Sequence, residues 1–222
     1  MTKSMQPLRI ELTLISPIVC PQRPIHLDAD LAALRVEEEG DLRGDAMADW
    51  SSQHDLPFER HDTDDGSWFF KASIFDFAPI DGRQNVRMIR APGRTEAAID
   101  QGRIFNSKGD VWHVGKGPTK GYLMAQPVQW CPTAYAYCIG DGARVSELLS
   151  RATSIGPMRR NGWGRVSGFT VAVDPDAHDQ WRRRNLPMNS PDALQTGHAP
   201  GVSALHAPYW ERSDHRAVLI PI

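Results

Sequence analysis

The sequence predicts an α+β fold: a ferredoxin-like (RRM-like) βαββαβ core with an inserted basic β-hairpin and an irregular C-terminal tail. Three observations carry that expectation. Leu8, Ile10, Leu12 and Leu14 alternate with polar residues, the period of a half-buried strand. Apolar residues recur at helical spacing twice, at Leu27, Leu31, Leu34 and at Val145, Leu148, Leu149, Ala152. Strand-like segments follow each helix, which gives the βαββαβ order. With 222 residues, the chain is the size of one large domain, since domains run to about 100–200 residues.

The elements follow in order. The strand Leu8–Ile15 leads into Ser16–Asp28, where Pro17, Pro21 and Pro24 exclude helix interior. Asp28 and Asp30 suit the positive end of a helix dipole and mark the start of the first helix. Its periodicity dissolves at Glu37–Asp45. Residues 40–66 are acidic and polar, and are expected to form a surface insertion with a short helix near Ala46–Trp50. Ser67–Phe77 is rich in aromatics and reads as one strand, and Gln84–Ile89 as another. Ile104–Phe105 and Val111–Val114 flank the turn signal Ser107–Asp110, which predicts a hairpin within residues 90–125. Val128–Ile139 reads as a strand interrupted by Pro132. Asp141 is placed to cap the second helix, and Phe169, Val171 and Val173 share a face of the last core strand. The core is thus expected at residues 8–89 and 126–174, with 175–222 as loop and tail ending in Val218-Leu219-Ile220-Pro221-Ile222.

The formal net charge of −2 conceals an uneven distribution. Residues 26–66 hold 13 acidic and 3 basic side chains, whereas residues 67–222 hold 13 acidic and 19 basic. Arginine outnumbers lysine 20 to 5, and its planar fork suits phosphates and stacks on bases. A cationic body beside a local acidic insert is the footprint of a nucleic-acid binder, the plain alternative being solvated charged faces. No apolar run approaches the roughly 20 residues that cross a bilayer, and the N-terminus lacks the apolar region of a signal peptide. Cys20, Cys131 and Cys138 form no CxxC pair and fit no zinc spacing. Reduced thiols and a cytoplasmic location are expected, with no metal and no cofactor.

The segment richest in chemistry is Ile155–Gly168. Gly156, Gly162, Gly164 and Gly168 interleave with Arg159, Arg160, Asn161, Trp163 and Arg165 between a helix and a strand. Glycines permit close backbone approach, successive N–H groups make an anion nest, arginines neutralise phosphates, and an indole stacks on a base. The loop lacks the GK[ST] of a Walker A motif, and it precedes a strand, unlike a Rossmann fingerprint. A loop whose Trp packs in the core is the structural alternative.

This glycine-rich loop resembles that of the RAMP superfamily of CRISPR proteins. The stretch Pro24-Ile25-His26-Leu27-Asp28-Ala29 after the first strand narrows the resemblance to the Cas-five-type subunit of type IV effector complexes. The resemblance implies a non-catalytic subunit in anti-plasmid or antiviral defence. It would cap a ribonucleoprotein filament by gripping the 5′ handle of the crRNA and help position flanking target DNA. The ferredoxin-like core becomes a palm and the inserted hairpin a thumb. Gly156, Arg159, Arg160, Asn161, Gly162, Trp163, Gly164 and Arg165 are expected at the RNA. Arg90, Arg94, Arg103, Lys108, Lys116 and Lys120 would touch RNA or the neighbouring backbone filament subunit. Implied partners are the crRNA, that backbone subunit, a large subunit, target DNA and an accessory helicase reached through the assembled complex, with no membrane.

Two alternatives accompany this reading. Some superfamily members cleave guide RNA without metal, which needs a general base and a cation for the phosphorane charge. His26 is the weak catalytic candidate here, its alternative being a structural role. The other alternative is a nucleotide- or anion-binding domain using Gly156–Gly168. Arg182, Arg183 and Arg184 form a cationic run, read as a solvated surface or as a nucleic-acid contact. His54 and His61 sit beside Asp55 and Asp62 but lack a helical metal-ligand spacing.

Overall fold

The period-two segment forms β1 (Gln6–Leu14), an inner strand of a four-stranded antiparallel sheet in the computed structural model. The structure describes residues 4–21, 23–43, 50–90, 121–191 and 197–222. Leu8, Ile10 and Leu12 are almost wholly buried, whereas Arg9 and Glu11 on the other face stay partly solvated. After β1 come β2 (Ile18–Val19) and α1 (Leu27–Arg43). Then β3 (Arg60–Asp62), β4 (Trp68–Phe70), β5 (Asp76–Ala78) and β6 (Gln84–Arg90) follow. The chain continues through β7 (Tyr122–Gln129), β8 (Thr133–Gly140), α2 (Gly142–Leu149) and β9 (Val166–Val173). It ends with α3 (Ala177–Gln180), β10 (Leu186–Pro187), β11 (His198–Ser203) and β12 (Arg216–Pro221).

The central sheet runs β5-β8-β1-β9. β1 pairs with β8 through Leu8↔Cys138 and Ile10↔Ala136, and with β9 through Leu8↔Val173 and Ile10↔Val171. The apolar face of β1 shares one core with Leu27 and Leu31 of α1 and with Val145, Leu148 and Leu149 of α2. Each such leucine contributes about 1.5–3 kcal/mol of burial energy. Asp141 caps α2 as expected, its Oδ1 accepting from the Ala143 and Arg144 amides at 3.1 and 3.3 Å.

Several sequence expectations are corrected. The first helix does not dissolve at Glu37 but runs on to Arg43. Arg35 bridges Glu38 and Glu39 one turn on, and Arg144 of α2 takes Glu38 as well, so the acidic run is held by cations. The acidic 40–66 segment is not purely a surface insertion. Leu56 and Phe58 are buried in the central core, and β3 pairs with β4. A 3-10 turn spans Trp50–His54, while most of the expected helix near Ala46–Trp50 lies outside the described residues. Ser67–Phe77 is no single strand: β4, bridges at Ala72↔Cys138 and Ile74↔His26, and β5 take successive partners. Val128–Ile139 is two strands, because Trp130–Pro132 carries the chain from one sheet to another.

β6 belongs to a second sheet, β2-β7-β6, and pairs with β7 from Gln84↔Val128 to Arg90↔Tyr122. Residues 91–120 connect this ladder. Arg94, Arg103, Lys108, Lys116 and Lys120 therefore lie outside the described residues, as does the side chain of Arg90. The expected irregular tail contains a third sheet, β10-β12-β11. Its Leu186 and Val218 join Phe69, Ile139, Trp181 and Leu205 in a second buried cluster. Pro187, Pro200 and Pro221 within those strands hid the pattern from sequence. No helix among the described residues is long and apolar enough to cross a membrane.

Candidate functional site

The glycine-rich loop is pinned at its root. The Ile155 amide donates to the Gly164 carbonyl and the Gly164 amide to the Pro17 carbonyl, both at 2.9 Å, while the Arg165 amide donates to Ser16 Oγ at 2.8 Å. Two of its glycines are demanded by this packing. Gly164 has φ +62°, and a Cβ there would lie 2.1 Å from the Ile155 carbonyl oxygen. Gly156 has φ +79° and would meet Ile25 and Ile18 at 3.0 and 3.1 Å. Gly162 and Gly168 face open space. Between root and tip, Met158 takes the left-handed conformation with φ 59°, and Arg159–Asn161 form a 3-10 turn. Such a backbone conformation is sparsely populated outside glycine and clusters at functional sites.

This packing opens a cleft of about 610 Å³ between the loop and the start of α1. Ile25, His26 and Asp30 line one wall, and Pro157, Met158 and Arg159 the other. Arg160, Asn161, Gly162 and Arg165 are exposed on the loop, and Arg160 and Arg165 make no ion pair among the described residues. Trp163 is half-buried, and its Nε1 is shielded from solvent without a partner among the described residues.

His26 is 5% exposed and stacks on the Tyr209 ring, with centroids 4.2 Å apart and planes 14° from parallel. Burial and the Arg184 charge hold its pKa well below the usual imidazole value, so it is neutral at pH 7. Its Nδ1 is buried with no hydrogen-bond partner among the described residues. Asp30 follows one helical turn later, its amide donating to the His26 carbonyl at 3.3 Å. Arg159 approaches its Oδ1 at 3.5 Å, while Oδ2 is buried without a partner among the described residues. Burial pushes the Asp30 carboxyl up to about 6, with Arg159 opposing that rise.

Behind His26 lies a polar node. Tyr209 donates its hydroxyl to the fully buried Asp28, 3.0 Å from both carboxylate oxygens. Burial and the Asp28 charge keep that phenol protonated. Arg184 Nη2 donates to Asp28 Oδ2 at 3.3 Å, to the Tyr209 hydroxyl at 3.1 Å and to the Leu205 carbonyl. Its Nη1 donates to the Ala72 carbonyl at 3.1 Å and to that of Phe70, and its Nε to the Asn185 carbonyl at 3.3 Å.

The arginine run is therefore corrected. Arg184 is 0% exposed and is a structural node rather than a surface cation. Arg183 pairs with Asp76 of β5. Arg182 bonds the His178 carbonyl at 2.6 Å and Asp179 at 3.0 Å, and lies over the Trp181 ring. Among the expected site residues, His26, Gly156 and Arg159 come together in the cleft, with Arg160 and Arg165 exposed on the same loop. Asp30 and Tyr209 were missed as site residues. His26 immediately precedes α1 and Asp30 lies in its first turn, so their closeness in sequence was a usable signal. Nothing in the sequence connects Tyr209 to that turn.

No curated protein shows a significant match to the chain. The family model of CRISPR type IV associated protein Csf3 matches residues 6–221, from the first residue of β1 to the last of β12. With nearly its whole length matched, and with the N-terminal stretch and the glycine-rich loop meeting at one cleft, the chain belongs to the Csf3 family of type IV CRISPR-associated proteins.

Proposed function

We propose that this chain is the guide-binding cap of a type IV CRISPR effector ribonucleoprotein, gripping the 5′ handle of the crRNA and helping to position the flanking target duplex. The observation that carries this reading is the meeting of Pro24–Ala29 with the glycine-rich loop at one cleft, beside the exposed Arg160 and Arg165, which have no ion pair among the described residues. Single-stranded RNA is held by phosphate contacts together with pockets for splayed bases, and this surface supplies both elements. The strand order supports a ferredoxin-like palm. Taken in chain order, the central strands lie second, third, first, fourth, with α1 after the first and α2 after the third. The β6–β7 ladder would form the stem of a thumb facing RNA or the backbone subunit. The backbone filament subunit, the large subunit and, through the complex, a helicase are the proposed partners.

The role is read as binding rather than cutting. A general base needs access to the proton it removes, whereas His26 is buried and stacked on Tyr209. Co-expression of a tagged chain with its neighbouring genes and a repeat–spacer array tests the proposal. Recovery of several proteins with a small RNA of constant 5′ end is the expected result, and an RNA-free monomer would sink it. Within that complex, Arg160→Ala with Arg165→Ala should lower affinity for handle RNA. The salt slope should flatten by about 0.7 per lost phosphate contact. His26→Ala should leave the mature 5′ end in place; its loss would favour the endoribonuclease reading.

A further inference from the structure

We infer that the outer edge of β9 is a pairing surface for a second copy of this chain, the two β9 strands joining antiparallel across a two-fold axis. The inference does not rest on the guide-RNA reading. β9 ends the central sheet on one side, with β1 as its sheet neighbour among the described residues. The phase of that pairing fixes which backbone groups look outward. The Asp174 amide donates to the Pro7 carbonyl at 2.9 Å, and Val173 lies opposite Leu8. In an antiparallel ladder the residues that exchange bonds alternate, so Ala172 and Thr170 bond to β1. Val173, Val171 and Phe169 then turn their N–H and C=O groups away from it. Among the described residues, no hydrogen bond reaches those outward groups. The Val166 amide, by contrast, donates to the Thr153 carbonyl at 3.0 Å, so the open stretch begins after it.

Native sheets blunt such an edge with charge, proline or brevity. The other outer strands follow that rule: β11 carries Pro200, β10 is two residues long and includes Pro187, β6 carries Arg87, and β3 is Arg60-His61-Asp62. β9, from Val166 to Val173, holds neither proline nor a charged residue. Its Val173 is 61% exposed, although it lies opposite Leu8 on the face that builds the core. A second copy completes these features. With Val171 opposite its own counterpart, Val173 faces Phe169 of the copy, and each such pair exchanges two backbone bonds. Val173 gains the copy's phenyl ring as an apolar neighbour. On the other face, Thr170 meets Ala172, and Asp174 meets Gly168, whose Cβ position has nothing within 4 Å. The two ends of β9 carry opposite charge. The exposed Arg165 precedes it, with no ion pair among the described residues, whereas Asp174 and Asp176 follow it. Antiparallel pairing sets each end beside the unlike end of the copy, and this complementarity selects a second β9 as the occupant.

The test is the oligomeric state of the full chain purified alone, followed by sedimentation velocity against concentration. One strand pair is a small interface, so a dissociation constant on the order of 1–100 μM is expected. Val173→Pro deletes an outward N–H that has no acceptor among the described residues, and an edge strand tolerates proline at such a position. It should leave the urea midpoint close to that of the unaltered chain. With two symmetry-related bonds lost, it should weaken the dimer about 10-fold or more. Thr170→Lys, at an exposed position, brings two ammonium groups together near the axis and should also weaken the dimer, most at low salt. That variant serves if the proline variant fails to fold. In amide exchange followed by nuclear magnetic resonance, Phe169, Val171 and Val173 should gain protection as concentration rises. Thr170 and Ala172, already bonded to β1, should not change. A chain that stays monomeric up to about 200 μM would overturn the proposal. A dimer that both variants leave intact would overturn it too, because its interface would lie elsewhere. So would β9 amides that become protected only when other subunits of the complex are added, since the edge would then belong to a strand of another protein.

Discussion

Two regions a few residues apart in α1 bury charge in opposite ways. At the Arg184 node, every guanidinium nitrogen donates to a carbonyl, to Tyr209 or to Asp28. At the cleft, Asp30 Oδ2 and His26 Nδ1 are buried without a hydrogen-bond partner among the described residues, beside a left-handed Met158. The node ties α1, the β4 region and the C-terminal segment together, so its charges are structural. The cleft leaves two buried polar atoms outside the network that ties the fold together, an arrangement rare enough in native proteins to mark the place. Complete pairing and incomplete pairing thus separate two roles that burial alone would merge.

The comparison can be broken first at the node. Arg184→Met leaves Asp28 buried without its cation and should destabilise the fold by about 3–5 kcal/mol in urea unfolding. A loss under 1 kcal/mol would mean the node is not structural. At the root of the loop, Gly164→Ala forces a Cβ toward the Ile155 carbonyl in a left-handed backbone. A loss of at least about 2 kcal/mol is expected, measured the same way. Gly168→Ala, in open space, should change stability by less than about 1 kcal/mol.

The smallest effect should have the opposite sign. Asp30 titrates near 3.8 in the unfolded chain and near 6 in the fold. Between those values the folded chain holds the extra proton, so stability falls as pH rises through that window. Asp30→Asn removes this titration. It should flatten the pH dependence of urea unfolding and stabilise the protein by about 1–2 kcal/mol at pH 7.5. Destabilisation instead would place Asp30 with the structural charges, paired to Arg159, and dissolve the contrast between the two regions.

Much of the fold is legible in local pattern. β1, the cap at Asp141, α2 and β9 all rest on short-range periodicity or a single side chain, which tertiary context did not override. The misreadings share a physical cause. α1 outran its apolar period because Arg35 and Arg144 neutralise acids that look destabilising in isolation. Ser67–Phe77 reads as one strand because aromatics mark extended chain but not which partner each short piece will take. The C-terminal sheet was hidden by prolines that strands of two to six residues tolerate at their ends and edges. At the site, the loop residues were readable because glycine and arginine announce themselves by type.

By itself, the sequence determined the alternating core strand, the two helices, the cationic glycine-rich loop and a resemblance, through Pro24–Ala29, to a type IV CRISPR protein. Those features depend on residue type and on spacings shorter than one element. Only the tertiary structure decided that the two motifs, some 130 residues apart, wall one cleft. It also decided that Arg184, the last of three adjacent arginines, is wholly buried while Arg182 and Arg183 keep part of their surface in solvent. Cleft and node are made by long-range packing of Tyr209, Leu205 and Phe70 around α1, and solvent exclusion at such a junction leaves no mark on local sequence.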